Sequence, residues 1–331
     1  MVSPPGPLLG LLLVLAVPVP VLAQGEPGPA PSPDAASGPV SHRELGGHLF
    51  VPSHLVQDPF SVTSVGLFWG VSGGDATGPT LNLGPPPTID FQNTRSYGFN
   101  GLGLGMLLEV RLLEWISIHG SADATAYLGT GNRSILILGS SARLTGMIGL
   151  KGSVRLGEHV RLAALLDAQY GPIFTALIAP GLIQAVTSGR IDLDQFLQQN
   201  QALTWIPALA GAFAPWPFLG VTLNFRLLFP DGSGNAQFAS SGMTFAAMVD
   251  LDLRPLVPFV PVGVSGVYSL LSPIGGALAT TQDFGLGLYY TGVRTLAAGI
   301  EIDWRLGRLA SEHVASSTAA WVNLRYYWDG A

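Results

Sequence analysis

The feature that most constrains the fold is a period-two alternation of apolar and polar residues between about residues 60 and 328. In residues 143–155, for example, Ile148 and Leu150 lie on one face, whereas Lys151 lies on the other. Successive side chains of a β-strand point to opposite sides of the sheet, so the alternation predicts strands with one apolar and one polar face.

The alternation separates into about twelve segments, an even number as in most single-chain membrane barrels. The predicted strands cover residues 60–71, 102–111, 115–128, 143–155, 160–170, 205–213, 219–227, 245–253, 257–270, 284–291, 296–304 and 319–328. Each segment has the length of a strand and not that of a membrane-spanning helix.

The links between these segments are alternately short and long. The short links are residues 112–114, 156–158, 214–217, 254–256 and 292–294, and the long links are residues 72–96, 129–140, 171–204, 230–239, 271–283 and 307–317. Membrane β-barrels have short turns on one side of the bilayer and long loops on the other. A soluble sandwich has no reason to sort its links in this way. We therefore expect an all-β fold, an antiparallel up-and-down transmembrane β-barrel of about 12 strands.

The composition agrees with an apolar solvent. Charged residues make up 11% of the chain and hydrophobic residues 48%, whereas a soluble domain carries about 25% charged residues. The chain has no cysteine, which excludes disulfides and thiolate chemistry, and its net charge of −6 argues against a nucleic-acid partner. We expect no cofactor.

The N-terminal region differs from the rest of the chain. Residues 1–23 contain an apolar core followed by small residues, which is typical of a signal peptide. Residues 24–58 are predicted to be a disordered linker, rich in Pro, Ala and Gly, and a lead-in to the barrel, because they offer little apolar surface to bury. Residues 59–331 are predicted to form the barrel.

Tryptophan residues lie at or near the predicted strand ends and turns. Amphipathic rings prefer the interface between membrane and water, so these residues predict two aromatic girdles. The predicted girdle residues are Trp69, Trp115, Trp205, Trp216, Trp304, Trp321 and Trp328.

The last predicted strand resembles the C-terminal assembly signal of bacterial outer-membrane β-barrel proteins of the porin-like kind. Its residues Ala320, Val322, Leu324, Tyr326 and Trp328 alternate and end on an aromatic ring, although three further residues follow. The resemblance covers about residues 60–328 and indicates no particular subfamily. It implies the outer membrane of a Gram-negative bacterium, contact with lipid, and insertion by the barrel assembly machinery. It also implies short periplasmic turns and long external loops.

The polar faces predict the residues that line the lumen. The candidates are Glu109, Arg111, His119, Lys151, Arg155, Arg161, Asp250, Asp252, Arg254 and Arg325. Two interpretations stay open: a salt-bridged filling that satisfies buried charge, or a water-filled passage whose charges set selectivity.

The sequence indicates no catalytic, cofactor-binding or metal-binding residues, and an enzyme is not expected. His119, Ser121 and Asp123 share one strand face. Alternate residues lie about 7 Å apart, which is too far for a hydrogen bond of about 2.6–3.2 Å.

The leading functional hypothesis is a passive or facilitated channel for small solutes. The alternative is a structural or surface-interaction barrel with a plugged lumen that does not conduct. Within the longest link, residues 173–186 are largely apolar and residues 191–203 have helical periodicity. Folded over the external mouth, this link would favour partly apolar solutes.

Overall fold

A short hairpin and a closed barrel make up the described part of the chain. The computed structural model describes residues 43–82, 88–131, 134–135, 140–176, 197–231, 241–274, 280–308 and 314–328. The hairpin consists of β1 (Glu44–Leu45) and β2 (His48–Leu49), which pair antiparallel. Among the described residues, twelve further strands close into one barrel.

The barrel strands follow one another in chain order, and each pairs antiparallel with its neighbours. They are β3 (Ser64–Asn82), β4 (Thr88–Leu113), β5 (Ile116–Gly129), β6 (Ser140–Leu156), β7 (Val160–Ala176), β8 (Leu197–Trp216), β9 (Leu219–Pro230), β10 (Gly242–Asp252), β11 (Val262–Pro273), β12 (Thr280–Tyr290), β13 (Leu296–Arg308) and β14 (Val314–Tyr327). Pairing of β14 with β3 closes the wall. The predicted up-and-down barrel of 12 strands is confirmed.

Several strands extend further toward the long links than predicted. β3 and β4 continue as a hairpin to residues 82 and 88, inside the predicted link 72–96. Residues 197–203, predicted as part of a helix, belong to β8 and pair with β7; this part of the helix prediction is wrong. Main-chain hydrogen bonds extend these hairpins whatever their side chains. Residues 177–196 of that link lie outside the described residues.

The outer wall is apolar and exposed. Leu104 and Ile148, for example, are 60% and 64% exposed, and Leu150, Leu223 and Ile300 also face outward. Burying such a surface in hydrocarbon is favourable, whereas exposing it to water is not. The barrel wall therefore has the outer surface of a membrane-spanning structure. In the part of the chain that the structure describes, no helix is long and apolar enough to cross a membrane.

The tryptophans divide between the two faces of the wall. Trp69, Trp115, Trp205, Trp216, Trp304 and Trp328 are exposed on the outer surface. Trp321 instead lies inside the barrel, where its ring is 5.0 Å from that of His54, so its assignment to a girdle is wrong. The alternation of β14 explains this position, because Trp321 lies on the face opposite Ala320 and Val322.

Residues 43–63, which we call the plug segment, lie inside the barrel. Leu45, Phe50, Phe60 and Val62 form an apolar cluster with wall residues that include Tyr327. The predicted linker and lead-in covered residues 24–58, but its described part, residues 43–58, is folded against the wall. The Pro-rich composition that predicted disorder ends before this segment, and its apolar side chains are buried by a surface that forms only in the closed barrel.

Candidate functional site in the barrel interior

The plug segment occupies the end of the barrel that carries the short turns. Gly46 N donates a hydrogen bond of 2.9 Å to the carbonyl of Glu158, and His48 Nδ1 is 3.3 Å from the carbonyl of Pro217. Residues 158 and 217 lie in two of the short turns. We call this the short-turn end of the lumen and the opposite end the long-loop end.

A four-residue ionic cluster holds the C-terminal part of the plug segment. Lys151 Nζ lies 2.8 Å from Glu109 Oε1 and 3.4 Å from Asp58 Oδ1. Arg325 reaches the same two carboxylates at 3.2 Å and 2.9 Å. Two wall cations thus bind one wall carboxylate and one plug carboxylate, so each buried charge has opposite charges beside it.

Hydrogen bonds to the plug backbone complete this cluster. Lys151 Nζ donates to the carbonyl of Phe60 at 2.7 Å, and Ser153 Oγ donates to the carbonyl of Pro59 at 2.7 Å. Burial alone would raise the pKa of Asp58, but the charges of Lys151 and Arg325 lower it to about 2. Asp58 is therefore ionised at neutral pH, and its contacts carry full charge.

A second contact fixes the hairpin. His48 Nε2 lies 2.5 Å from Asp250 Oδ1, and both side chains are buried. Val51 N donates to the other oxygen of Asp250 at 3.2 Å. Gly220 faces this pair, and a Cβ atom there would overlap both His48 and Asp250. A glycine at this position is thus what allows the hairpin to approach the wall.

A third contact joins the middle of the plug segment to β13. The His54 ring lies between two buried carboxylates: Nδ1 contacts Glu301 and Nε2 lies 3.0 Å from Asp303 Oδ2. Tyr289 donates a hydrogen bond to Glu301 from the neighbouring strand. Burial would lower the pKa of His54, but the close carboxylates of Asp303 and Glu301 and their charges raise it to about 9.

A cavity of about 270 Å³ adjoins residues 52–58 on their long-loop side. Its wall is mixed in charge and polarity. The polar side chains that line it include Asp58, Glu109, His119, Ser121, Asp123, Lys151, Gln169, Arg226, Asn323 and Arg325. Met147 and Phe68 add apolar surface.

One side of this cavity contains a His–carboxylate pair. His119 Nε2 lies 2.9 Å from Asp167 Oδ1 and 3.1 Å from the Gln57 side-chain nitrogen. Arg226 is 3.8 Å from the other oxygen of Asp167. The partner of His119 is thus on β7, two strands away, and not Asp123 of its own strand.

The predicted lumen-lining residues occupy three kinds of position. Glu109, His119, Lys151, Asp250, Asp252 and Arg325 are buried in the interior. Arg111, Arg161 and Arg254 are partly buried; Arg161 lies over the Phe60 ring, and Arg254 is 3.8 Å from Asp252. Arg155 is exposed at the rim, where it binds the carbonyls of Gly157 and Glu158.

Sequence reasoning missed the interior residues supplied by the plug segment, namely His48, His54 and Asp58. One signal could have indicated them. The predicted lining has six cations and three acids on its short-turn half, and a buried excess of cations requires an acidic partner from elsewhere. Asp58 is such a partner.

A scan against family models and a search of curated proteins return no match to this sequence. Solved structures similar to it include an outer-membrane channel from Pseudomonas putida F1, with a TM-score of 0.46 and 14% identity over 83% of this chain and 98% of that one. A Pseudomonas aeruginosa FadL homologue has a TM-score of 0.45 and 9% identity over 86% and 96%. The KdgM porin has a TM-score of 0.41 and 9% identity over 77% and 98%. Likeness at this level carries no conclusion about the function of this chain.

Proposed function

We propose that this protein is an outer-membrane channel for small solutes, with its periplasmic end closed by the plug segment. The observation that carries the proposal is the polar cavity inside the barrel, which is bounded on one side by a chain segment and not by the wall. The exposed apolar wall and the closed sheet supply the membrane-spanning frame.

The pairing of the interior charges favours a lumen that can open for a solute and argues against a permanently filled lumen. Lys151 and Arg325 both bind Asp58, which belongs to the plug segment. The plug segment continues directly into β3 at Ser64, and it adds no strand to the closed barrel. It can therefore move out without breaking the ladder of the wall, leaving a lumen lined by charges.

The cavity lining indicates the class of solute. With the plug segment in place, Asp58, Glu109 and Asp123 balance the cations Lys151, Arg226 and Arg325 of the cavity lining. A lining without a dominant sign does not concentrate ions of either charge. We propose small uncharged or zwitterionic solutes with hydrogen-bonding groups; a preference for partly apolar solutes stays a prediction that depends on the long link at residues 171–204.

The alternative is a barrel that does not conduct and serves as a scaffold or surface-interaction protein. The plug segment itself favours this function, because its buried ion pairs fill the short-turn end. The two functions differ in whether the complete protein passes solute at all.

Swelling of liposomes in solutions of small neutral solutes distinguishes the two functions. The channel proposal expects the full protein to pass such solutes faster than vesicles carrying heat-denatured protein. A variant that lacks residues 43–59 should pass them faster still and show larger conductance steps in planar bilayers. If neither the full, folded protein nor the folded variant that lacks residues 43–59 passes solute, the scaffold function is correct.

A further inference from the structure

Three potential metal ligands meet where the plug segment contacts β13. They are the imidazole of His54 and the carboxylates of Glu301 and Asp303, and their ligand atoms all lie within 4.8 Å of one another. Zinc bonds of about 2.0–2.2 Å in a tetrahedral site place ligand atoms roughly 3.4 Å apart. The largest separation in the cluster can exceed this by about 1.4 Å, and because only one ring nitrogen can bind a shared ion, the carboxylate at the other nitrogen must swing toward it.

The charge of this cluster is not balanced within it. Glu301 and Asp303 are both buried, and a protonated His54 neutralises only one of them. Arg305, two residues further along β13, acts electrostatically on Asp303 but forms its ion pair with Asp283, at 2.5 Å. Uncompensated buried charge is costly, and a divalent ion would remove the deficit.

Asp303 provides an independent observation. It is only 6% exposed, yet neither of its carboxylate oxygens accepts a well-aligned hydrogen bond in the described part of the chain. Its Oδ2 lies 3.0 Å from His54 Nε2. Buried carboxylates are normally hydrogen-bonded. A buried carboxylate that faces an imidazole and has unused acceptor capacity is therefore suited to binding a cation.

We propose that His54, Glu301 and Asp303 bind a divalent transition-metal ion, with zinc the best match, and that the ion fastens the plug segment to the wall. One imidazole nitrogen and two carboxylate oxygens suit zinc, whereas calcium and magnesium prefer oxygen ligands alone. A fourth position can hold water. The ion can reach the cluster from the lumen, because His54 lines the interior cavity.

The inference does not depend on solute transport, because a non-conducting barrel could use the same fastening.

Calorimetric titration of the chelator-treated, refolded protein with zinc at pH 7 tests the proposal. We expect one tight site per chain. Asp303→Asn and His54→Gln should each weaken zinc binding by at least about 10-fold, the loss seen even for indirect partners of a ligand. Calcium should not compete.

Asp250→Asn is the matched control, because Asp250 pairs with a buried histidine of the same plug segment but has no second carboxylate in its contact. It should bind zinc as the parent protein does. Heat-modifiable gel mobility shows that each variant is folded. The proposal is overturned if the folded parent binds no zinc, or if His54→Gln and Asp303→Asn bind zinc as tightly as Asp250→Asn.

Discussion

The two ends of the lumen pair their charges in different ways. At the short-turn end, buried wall residues such as Lys151 and Asp250 contact residues of the plug segment that are far away in the chain. Toward the long-loop end, Arg305 pairs with Asp283 on the adjacent strand, and Arg143 Nε donates to Thr145 on its own strand at 2.8 Å. The first set depends on the plug segment, whereas the second needs only the wall.

The solvent exposure of the cationic side chains also differs between the two ends. The Lys151 side chain is 2% exposed, whereas that of Arg305 is 52% exposed. Buried pairs are strongly coupled, because removal of one partner leaves the other charge without solvent. Arg305 is screened by water, although its partner Asp283 is buried. The charged side chains at the short-turn end are thus buried between the plug segment and the wall, whereas Arg305, near the long-loop end, is exposed.

The largest expected difference between the ends comes from removing one cation at each. Lys151→Met should lower the free energy of unfolding by about 3–5 kcal/mol, because Asp58 and Glu109 lose a buried partner. Arg305→Met should lower it by less, because water reaches Arg305 and only one carboxylate, Asp283, loses its ion-pair partner. Urea unfolding in lipid vesicles measures both. Equal losses would mean that the two ends are alike.

Adding a methyl group at Gly220, at the short-turn end, should also lower the free energy of unfolding. In Gly220→Ala, the new Cβ would overlap His48 and Asp250, and overpacking of this kind costs about 1–3 kcal/mol. The control is Gly266→Ala, where a Cβ meets nothing within 4 Å. The same unfolding experiment applies. The proposed approach of the hairpin to Gly220 is wrong if the two substitutions have the same effect.

The contact of the plug segment with the wall should weaken only at low pH. The pKa of Asp58 is lowered from 3.8 to about 2, so its contribution is present above about pH 4 and is lost as the pH falls through 2. The loss is about 2 kcal/mol. A spin label on Val56→Cys should gain mobility between pH 4 and pH 2. Added Asp58→Asn should remove this transition; its persistence would assign the transition to another group.

Much of the wall could be predicted, because the alternation of residues along a strand shows which side chains share a face. The alternation places Leu150 outside and Lys151 inside without any knowledge of their partners. The ends of β3, β4, β7 and β8 could not be predicted, since these hairpins continue where the side-chain alternation fades. Trp321 was misassigned because its place near a strand end was given more weight than its position on the inner face.

The plug segment could not be predicted, because its side chains respond to partners far away in the chain. His48 and Asp250 are 202 positions apart, and His54 and Glu301 are 247 positions apart. Contacts between residues so far apart produce no periodic pattern in the sequence around either residue. For the same reason the sequence indicated no metal ligands, although Glu301 and Asp303 both lie on a predicted polar face.

The central claim is that residues 43–63 lie inside the barrel and close its short-turn end. The chain has no cysteine, so pairs of introduced cysteines report proximity without background. Val56 clusters with Ala246, Met248 and Val267 of the wall. Treatment of the folded Val56→Cys, Ala246→Cys variant with a short bifunctional thiol reagent should give a cross-linked product of altered gel mobility, whereas Val56→Cys with Ser141→Cys, near the long-loop end, should give none. A folded barrel in which Val56 and Ala246 do not cross-link, or in which Val56 and Ser141 do, would contradict the claim.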